Sequence, residues 1–221
     1  MVEPSLLEDG VIDRQSYEHA KVKIVHLLKQ GVAEQNPKGY TSLVKMIRDD
    51  HTNHPDSLPP MWMVCAQRSY CILHGFPPWT IVKALRVQDE LWPAFWSGAV
   101  VNLVKKTGPV NITDDHLNEG LSEYGNLVRE QIEHLNPHVI VCGGTFDVWL
   151  KRIHRGNYRE GVCPSGMRFV CLDGVFYLDA YHPSHRAKQA MEYSWFRACA
   201  AEILGSMVQS GVGQVTCAPD E

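Results

Sequence analysis

Apolar positions along the chain fall into two kinds of stretch, short continuous runs and longer segments with helical spacing, and their alternation predicts an α/β fold. Residues 22–28 are β-branched and almost continuously apolar, the pattern of a strand buried on both faces of a parallel sheet. The runs at 98–104 and 138–142 read the same way, and 167–171 and 175–179 flank Asp173-Gly174, a hairpin turn signal. Between the strands, helices are expected at 42–50 behind Thr41, at 61–74 up to Gly75, and at 80–87. A long amphipathic helix is expected from Thr113 to Asn136, with Leu117, Leu121, Leu127, Val128, Ile132 and Leu135 on its apolar face. A further helix runs from the Gly143-Gly144-Thr145 turn through Ile153. The last, 187–208, is expected to turn Met191, Trp195, Ala198, Ile203 and Leu204 toward the sheet. Trp92, Phe95 and Trp96 read as core packing. Together these elements predict a three-layer α/β/α sandwich with a central, mostly parallel four-stranded sheet. One domain is expected over 1–208, led by a helical segment at 1–20, with 209–221 as a flexible tail.

Composition narrows the classes. Of 221 residues 44% are hydrophobic, enough for a substantial single core, and the net charge of −4 means that any nucleic-acid surface must be a local cluster of basic residues. The seven cysteines are odd in number and form no CxxC pair, so they read as buried free thiols in a reducing compartment. No apolar run approaches the roughly 18 residues of a membrane span, and residues 1–10 are acidic rather than signal-like. The expectation is a soluble, cytoplasmic monomer with no membrane association and no metal or cofactor.

Candidate chemistry collects where strands end, since ligands of open α/β sheets bind beyond the carboxyl ends of the strands. After the first strand, Lys29 to Tyr40 is a polar loop containing Gln30 and Glu34. The second strand carries Asn102, an amide that either reads a ligand edge or bonds to a loop backbone, and ends at Lys105-Lys106. Gly143-Gly144 at the third strand's end either holds an anion or packs closely. Arg68, inside an apolar helix, is either paired to a carboxylate or aimed at a phosphate. Finally His182-Pro183-Ser184-His185-Arg186 lies between the hairpin and the last helix, where an imidazole and backbone N–H groups can meet one phosphate-sized group.

Three of these stretches, Lys29-Gln30-Gly31, Val100-Val101-Asn102-Leu103 and His182-Pro183-Ser184, resemble the motifs of the uracil-DNA glycosylase superfamily over roughly residues 20–205, the last being the most specific. The resemblance implies a uracil-DNA glycosylase-like fold and a monofunctional DNA glycosylase that flips a base from the stack and leaves an abasic site, with DNA as its partner. It implies that Gln30 orients or activates water, that Asn102 reads the extruded base, with Tyr40 as a further base contact, and that His182 stabilises the departing base. The segment after the third motif, His185 and Arg186, would enter the DNA beside the vacated position. Lys105, Lys106, Arg186 and Lys188, with the loops of Gly143, Gly144 and Ser184, would hold the DNA backbone. The chain departs from the pattern at Gln30, where many members carry aspartate or asparagine, and at Gly31, which stands where proline is expected. Water activation therefore falls to Gln30 or to Glu34.

Cleaving an N-glycosidic bond leaves positive charge on the sugar and negative charge on the base. A neutral His182 donating to a base oxygen serves the anion, and a carboxylate such as Glu34, with the DNA phosphates, serves the cation. The first loop lacks a compact proline-aromatic wall, so a bulky modified pyrimidine stands level with uracil as the expected substrate. Superfamily members in anti-phage defence excise such bases, glucosylated hydroxymethylcytosine among them. Two other classes are carried forward: a catalytically silent nucleic-acid-binding module, and a small-nucleotide hydrolase.

Overall fold

The computed structural model describes residues 6–29, 41–106, 113–154, 158, 160–184 and 189–210. A short strand, β1 (Gly10–Val11), and helix α1 (Arg14–His19) lead into β2 (Ile24–Leu28), all five of whose residues are buried. The chain then makes α2 (Leu43–Asn53), α3 (Pro60–Leu73), α4 (Trp79–Val82), a π-helical turn (Val87–Leu91) and α5 (Trp92–Trp96) before β3 (Gly98–Asn102). α6 (Asp114–Leu135) connects to β4 (Val139–Gly143), and α7 (Phe146–His154) to β5 (Gly161–Val162), β6 (Arg168–Leu172) and β7 (Val175–Ala180), with α8 (Gln189–Ser210) last. Local chemistry sets several ends. The Thr113 hydroxyl accepts from the His116 N–H while His116 Nδ1 accepts from the Thr113 N–H, a reciprocal cap, and Asn136 closes α6 in the left-handed conformation.

The sheet has seven strands in the order β1-β3-β2-β4-β7-β6-β5. Its centre, β3-β2-β4-β7, is parallel throughout, as the continuous apolar runs require. The expectation of four strands is corrected at both edges, where β1 and the β6–β5 ribbon add antiparallel pairings. Two-residue strands such as β1 and β5 carry no periodicity, so only pairing with a neighbour makes them strands.

Helices cover both faces. Val25, Leu27, Ala99, Val101, Ile140, Cys142 and Tyr177 pack with α6 and α7 on one side. Ile24, Leu28, Val100, Val139, Val141, Phe176, Leu178 and Ala180 pack with α2, α3, α5 and α8 on the other. Trp92 and Phe95 lie in this second layer, Phe95 stacked on Trp62 at 5.7 Å. Arg168 ties the hairpin to α7 through Asp147 and Asp179, its guanidinium over the Phe146 ring.

Three expectations shift. α8 buries Tyr193, Phe196, Cys199, Ala200 and Leu204, whereas Met191 is 64% exposed. The helix is apolar nearly all round, so spacing alone does not choose its inner face. The leading segment is a strand and a short helix rather than a helix throughout. Five cysteines, 65, 71, 142, 163 and 199, are free and buried, but Cys171 is disulfide-bonded, against the expectation of free thiols throughout. No helix among the described residues is long and apolar enough to cross a membrane. The predicted tail lies outside the described residues from 211 onward, and α8 continues to Ser210.

Candidate active site at the sheet rim

β2 is followed by helices on one face of the sheet and β4 by α7 on the other, so the strand order reverses between these two neighbours. The carboxyl ends of β2 and β4 therefore form the topological switch point, the place where open α/β sheets open a crevice. Thr145 Oγ1 closes the base of this crevice by donating to the Leu27 carbonyl at 2.9 Å.

The end of β7 delivers His182 to the same rim. Ala180, the last residue of β7, packs on the α3/α8 side, and His182 follows two residues beyond it. Pro183 is buried, and its Cδ lies 3.1 Å from where a Gly143 side chain would begin, with Leu28 Cδ2 at 2.8 Å from the same point. Gly143 is thus a close-approach residue that lets the His182 loop lie on the end of β2. The ring is oriented from within the loop: the Ser184 N–H donates to His182 Nδ1 at 3.3 Å, and the Ser184 hydroxyl lies 2.7 Å from the same nitrogen. With Nδ1 accepting, the proton of the neutral ring sits on Nε2. Burial first, then the charges of Lys29 and Arg68, pull the His182 pKa down to about 4, so the ring is neutral at physiological pH. The outcome is a neutral imidazole whose Nε2–H has no acceptor among the described residues.

Asn102 ends β3, directly opposite Leu28, and shares the face of Val100 toward α2, α3 and α5. It is fully buried, yet neither its Oδ1 nor its Nδ2 has a hydrogen-bond partner. Its backbone N–H donates to Asp9 Oδ2 at 2.7 Å. An unpaired buried amide is destabilising by about 1–3 kcal/mol. Asn102→Leu is accordingly expected to leave stability unchanged or raise it by about 1 kcal/mol, read as a shift of the urea midpoint. A large loss of stability would mean that the amide is structural.

The rim keeps some predicted residues and rejects others. Lys105 was expected to contact DNA, but its ammonium is buried, held by both Asp9 oxygens at 2.6 and 2.9 Å and by Gln131 Oε1 at 2.6 Å. Burial lowers its pKa, opposed by Asp9. Lys106 is exposed and pairs with Glu123 at 3.0 Å. The Gly144 N–H was expected to face a phosphate, but it already serves the Cys142 and Ala180 carbonyls, each at 2.9 Å. Gly143 is buried in packing. Ser184 is exposed beside His182. Gln30, Glu34, Tyr40, His185, Arg186 and Lys188 lie outside the described residues.

Arg68 proves to be paired. Its Nη2 donates to Glu192 Oε1 at 2.7 Å and to the Tyr181 carbonyl at 2.9 Å, which fixes α3 and α8 to the start of the His182 loop. Its neighbours on α3 do similar work: Gln67 accepts from Gln189 Nε2 at 3.0 Å, and the Ser69 hydroxyl lies 2.9 Å from His26 Nε2 on β2. Asp9 and His26 had no signal in the sequence, because each owes its role to burial against a distant element. Among the described residues no group of three His, Cys, Asp or Glu side chains is placed to hold a metal ion.

Two histidines are expected to make the protein acid-sensitive. His26 is pulled down to about 3, chiefly by burial, and His182 to about 4, against an ordinary value of 6.5. The unfolded rings therefore take up protons first as pH falls. Their contribution to stability is complete above about 6.5 and is lost progressively below it, through about 4 for His182 and about 3 for His26. The unfolding midpoint is expected to fall across that window, and His26→Gln should flatten the dependence.

No protein-family model matches the chain, and no curated protein matches it in sequence. The functional reading rests on the geometry of this rim and the motifs that compose it.

Proposed function

We propose that the chain is a monofunctional DNA glycosylase with a uracil-DNA glycosylase-like fold, acting as a cytoplasmic monomer on a uracil-type or bulky modified pyrimidine. One observation carries the reading: a neutral imidazole whose Nε2–H has no acceptor among the described residues and a fully buried, unpaired amide both stand at the carboxyl rim of one parallel sheet. Asn102 supplies two donors and an acceptor in a fixed plane, suited to the Watson–Crick edge of an extruded base. His182 donates to the base oxygen on which negative charge collects as the glycosidic bond lengthens. Being neutral, it stabilises this anion as a hydrogen-bond donor rather than as a cation. Water reaches the sugar from the loop after β2, through Gln30 or Glu34, while the substrate's own phosphates favour the sugar cation. The contacts to the DNA backbone come from Ser184, His185, Arg186, Lys188 and Lys106.

The test is to incubate the protein with uracil-containing duplex and with phage DNA bearing glucosylated hydroxymethylcytosine, then assay released base and alkali-labile sites. Release from either is the expected result. Folded protein that binds these DNAs without releasing a base would be a silent binding module, and release from free nucleotides alone would make it a small-nucleotide hydrolase.

A further inference from the structure

Lys29 stands at the switch point itself, one residue beyond β2. Its carbonyl accepts from the Val104 N–H at 3.1 Å, and the Leu28 carbonyl accepts from the Leu103 N–H at 2.9 Å, so its backbone is tied to the two residues that follow β3. The side chain crosses Gly144, whose φ of 66° places it in the left-handed region. From the point where a Gly144 side chain would begin, Lys29 Cε is 3.2 Å away and His182 Cβ 3.6 Å. A side chain at 144 would therefore strain the backbone and crowd Lys29 and His182 apart.

The other basic groups of this region are matched. Lys105 has Asp9, Lys106 has Glu123, and Arg68 has Glu192. Lys29 is half-buried and has no ion pair or hydrogen bond from its ammonium among the described residues. Around His182 the acting charges are Lys29 from the end of β2 and Arg68 from α3, both cationic, with Glu192 of α8 engaged by Arg68. A half-buried ammonium with no partner among the described residues, next to a neutral histidine, is placed to receive an anion.

We propose that Lys29 and the Nε2–H of His182 form an anion subsite at the switch point, in which Lys29 takes up negative charge of the bound nucleic acid. That charge is either the departing base, met by both groups, or the phosphate flanking the extruded nucleotide, met by Lys29 beside the His182 donor. The identity of the anion rests on the glycosylase reading, whereas the existence of the subsite does not.

The experiment compares the wild type with Lys29→Gln and Lys29→Arg. The ring nitrogens of His182 are followed by NMR through a pH titration and through a titration with inorganic phosphate. In the wild type, phosphate is expected to shift the His182 resonances and raise its pKa. In Lys29→Gln the His182 pKa rises without phosphate, and the phosphate response falls by about tenfold or more. Lys29→Arg retains both behaviours. Wild-type resonances insensitive to phosphate, or a folded Lys29→Gln protein with an unchanged pKa and phosphate response, would overturn the subsite. Neither readout requires base release, so they decide the subsite even if no DNA is cleaved. Where base is released, kinetics identify the anion. Lys29→Gln slows single-turnover cleavage at saturating DNA by about 10²-fold if Lys29 faces the departing base. If it faces a phosphate, cleavage persists, DNA binding weakens, and the salt dependence becomes shallower by about one unit of slope.

Discussion

In the proposed glycosylase reaction, replacing His182 with alanine is expected to slow base release by about 10²–10³-fold at saturating DNA, with little change in DNA affinity. The ground-state base oxygen is a modest acceptor, and the same oxygen becomes a strong one as the bond to the sugar breaks. A donor aimed at it acts mainly on the transition state, so its loss appears in the cleavage rate rather than in binding. The loop makes the assignment specific to one ring nitrogen: Ser184 occupies Nδ1, leaving Nε2 to donate. His182→Gln, which keeps an N–H but not its rigid placement, should recover part of the rate. Since the pKa of the ring is about 4, its titration should be absent from the rate profile at neutral and alkaline pH. Single-turnover assays across pH check both points; full activity in His182→Ala removes the proposed role.

Arg68→Met is expected to destabilise the protein by about 3–5 kcal/mol, because it leaves the Glu192 carboxylate buried with no cation beside it. The pair is deeply placed, with side-chain exposures of 3% for Arg68 and 7% for Glu192. Burial already lowers the arginine pKa, which Glu192 offsets only in part. Removing both charges is a different matter. Arg68→Met combined with Glu192→Leu should restore most of the stability, since two apolar groups of similar volume need no compensation. The Tyr181 carbonyl, however, loses the Arg68 donor in both variants. A double variant with a near-normal urea midpoint but cleavage reduced by up to about 10²-fold would separate the placement of the His182 loop from the energy of the pair. If its cleavage rate equals that of the wild type, Arg68 serves stability alone.

The parts of the fold that could be read along the chain obey local rules. The central strands are continuous apolar runs because both their faces are covered, and α6 begins at Thr113 because a hydroxyl there satisfies an otherwise free N–H. The Asp173-Gly174 turn likewise has both residues at positive φ, the conformation that residue pair favours. What could not be read depends on company. Lys105 and Lys106 are adjacent and look alike in the sequence, yet one is sealed against Asp9, 96 positions away, and the other meets solvent. The inner face of α8 followed its neighbours rather than its own spacing, and β1 is a strand only because β3 pairs with it.

The candidate site divides along the same line. His182-Pro183-Ser184, Asn102 and the turn at Gly143 were marked by residue type at strand ends, each with a structural use equally open: a helix cap, a bond to loop backbone, or the close packing that Gly143 in fact provides. Which His182 nitrogen donates, that the Asn102 amide has no partner, that Lys29 and not Lys105 lies beside His182, and that Arg68 anchors the loop through Tyr181 were decided by the folded chain. Residue chemistry and apolar periodicity are written in short stretches, so they survive in the sequence. Protonation, pairing and burial depend on distances of a few ångströms between residues far apart in the chain, and only packing sets those distances.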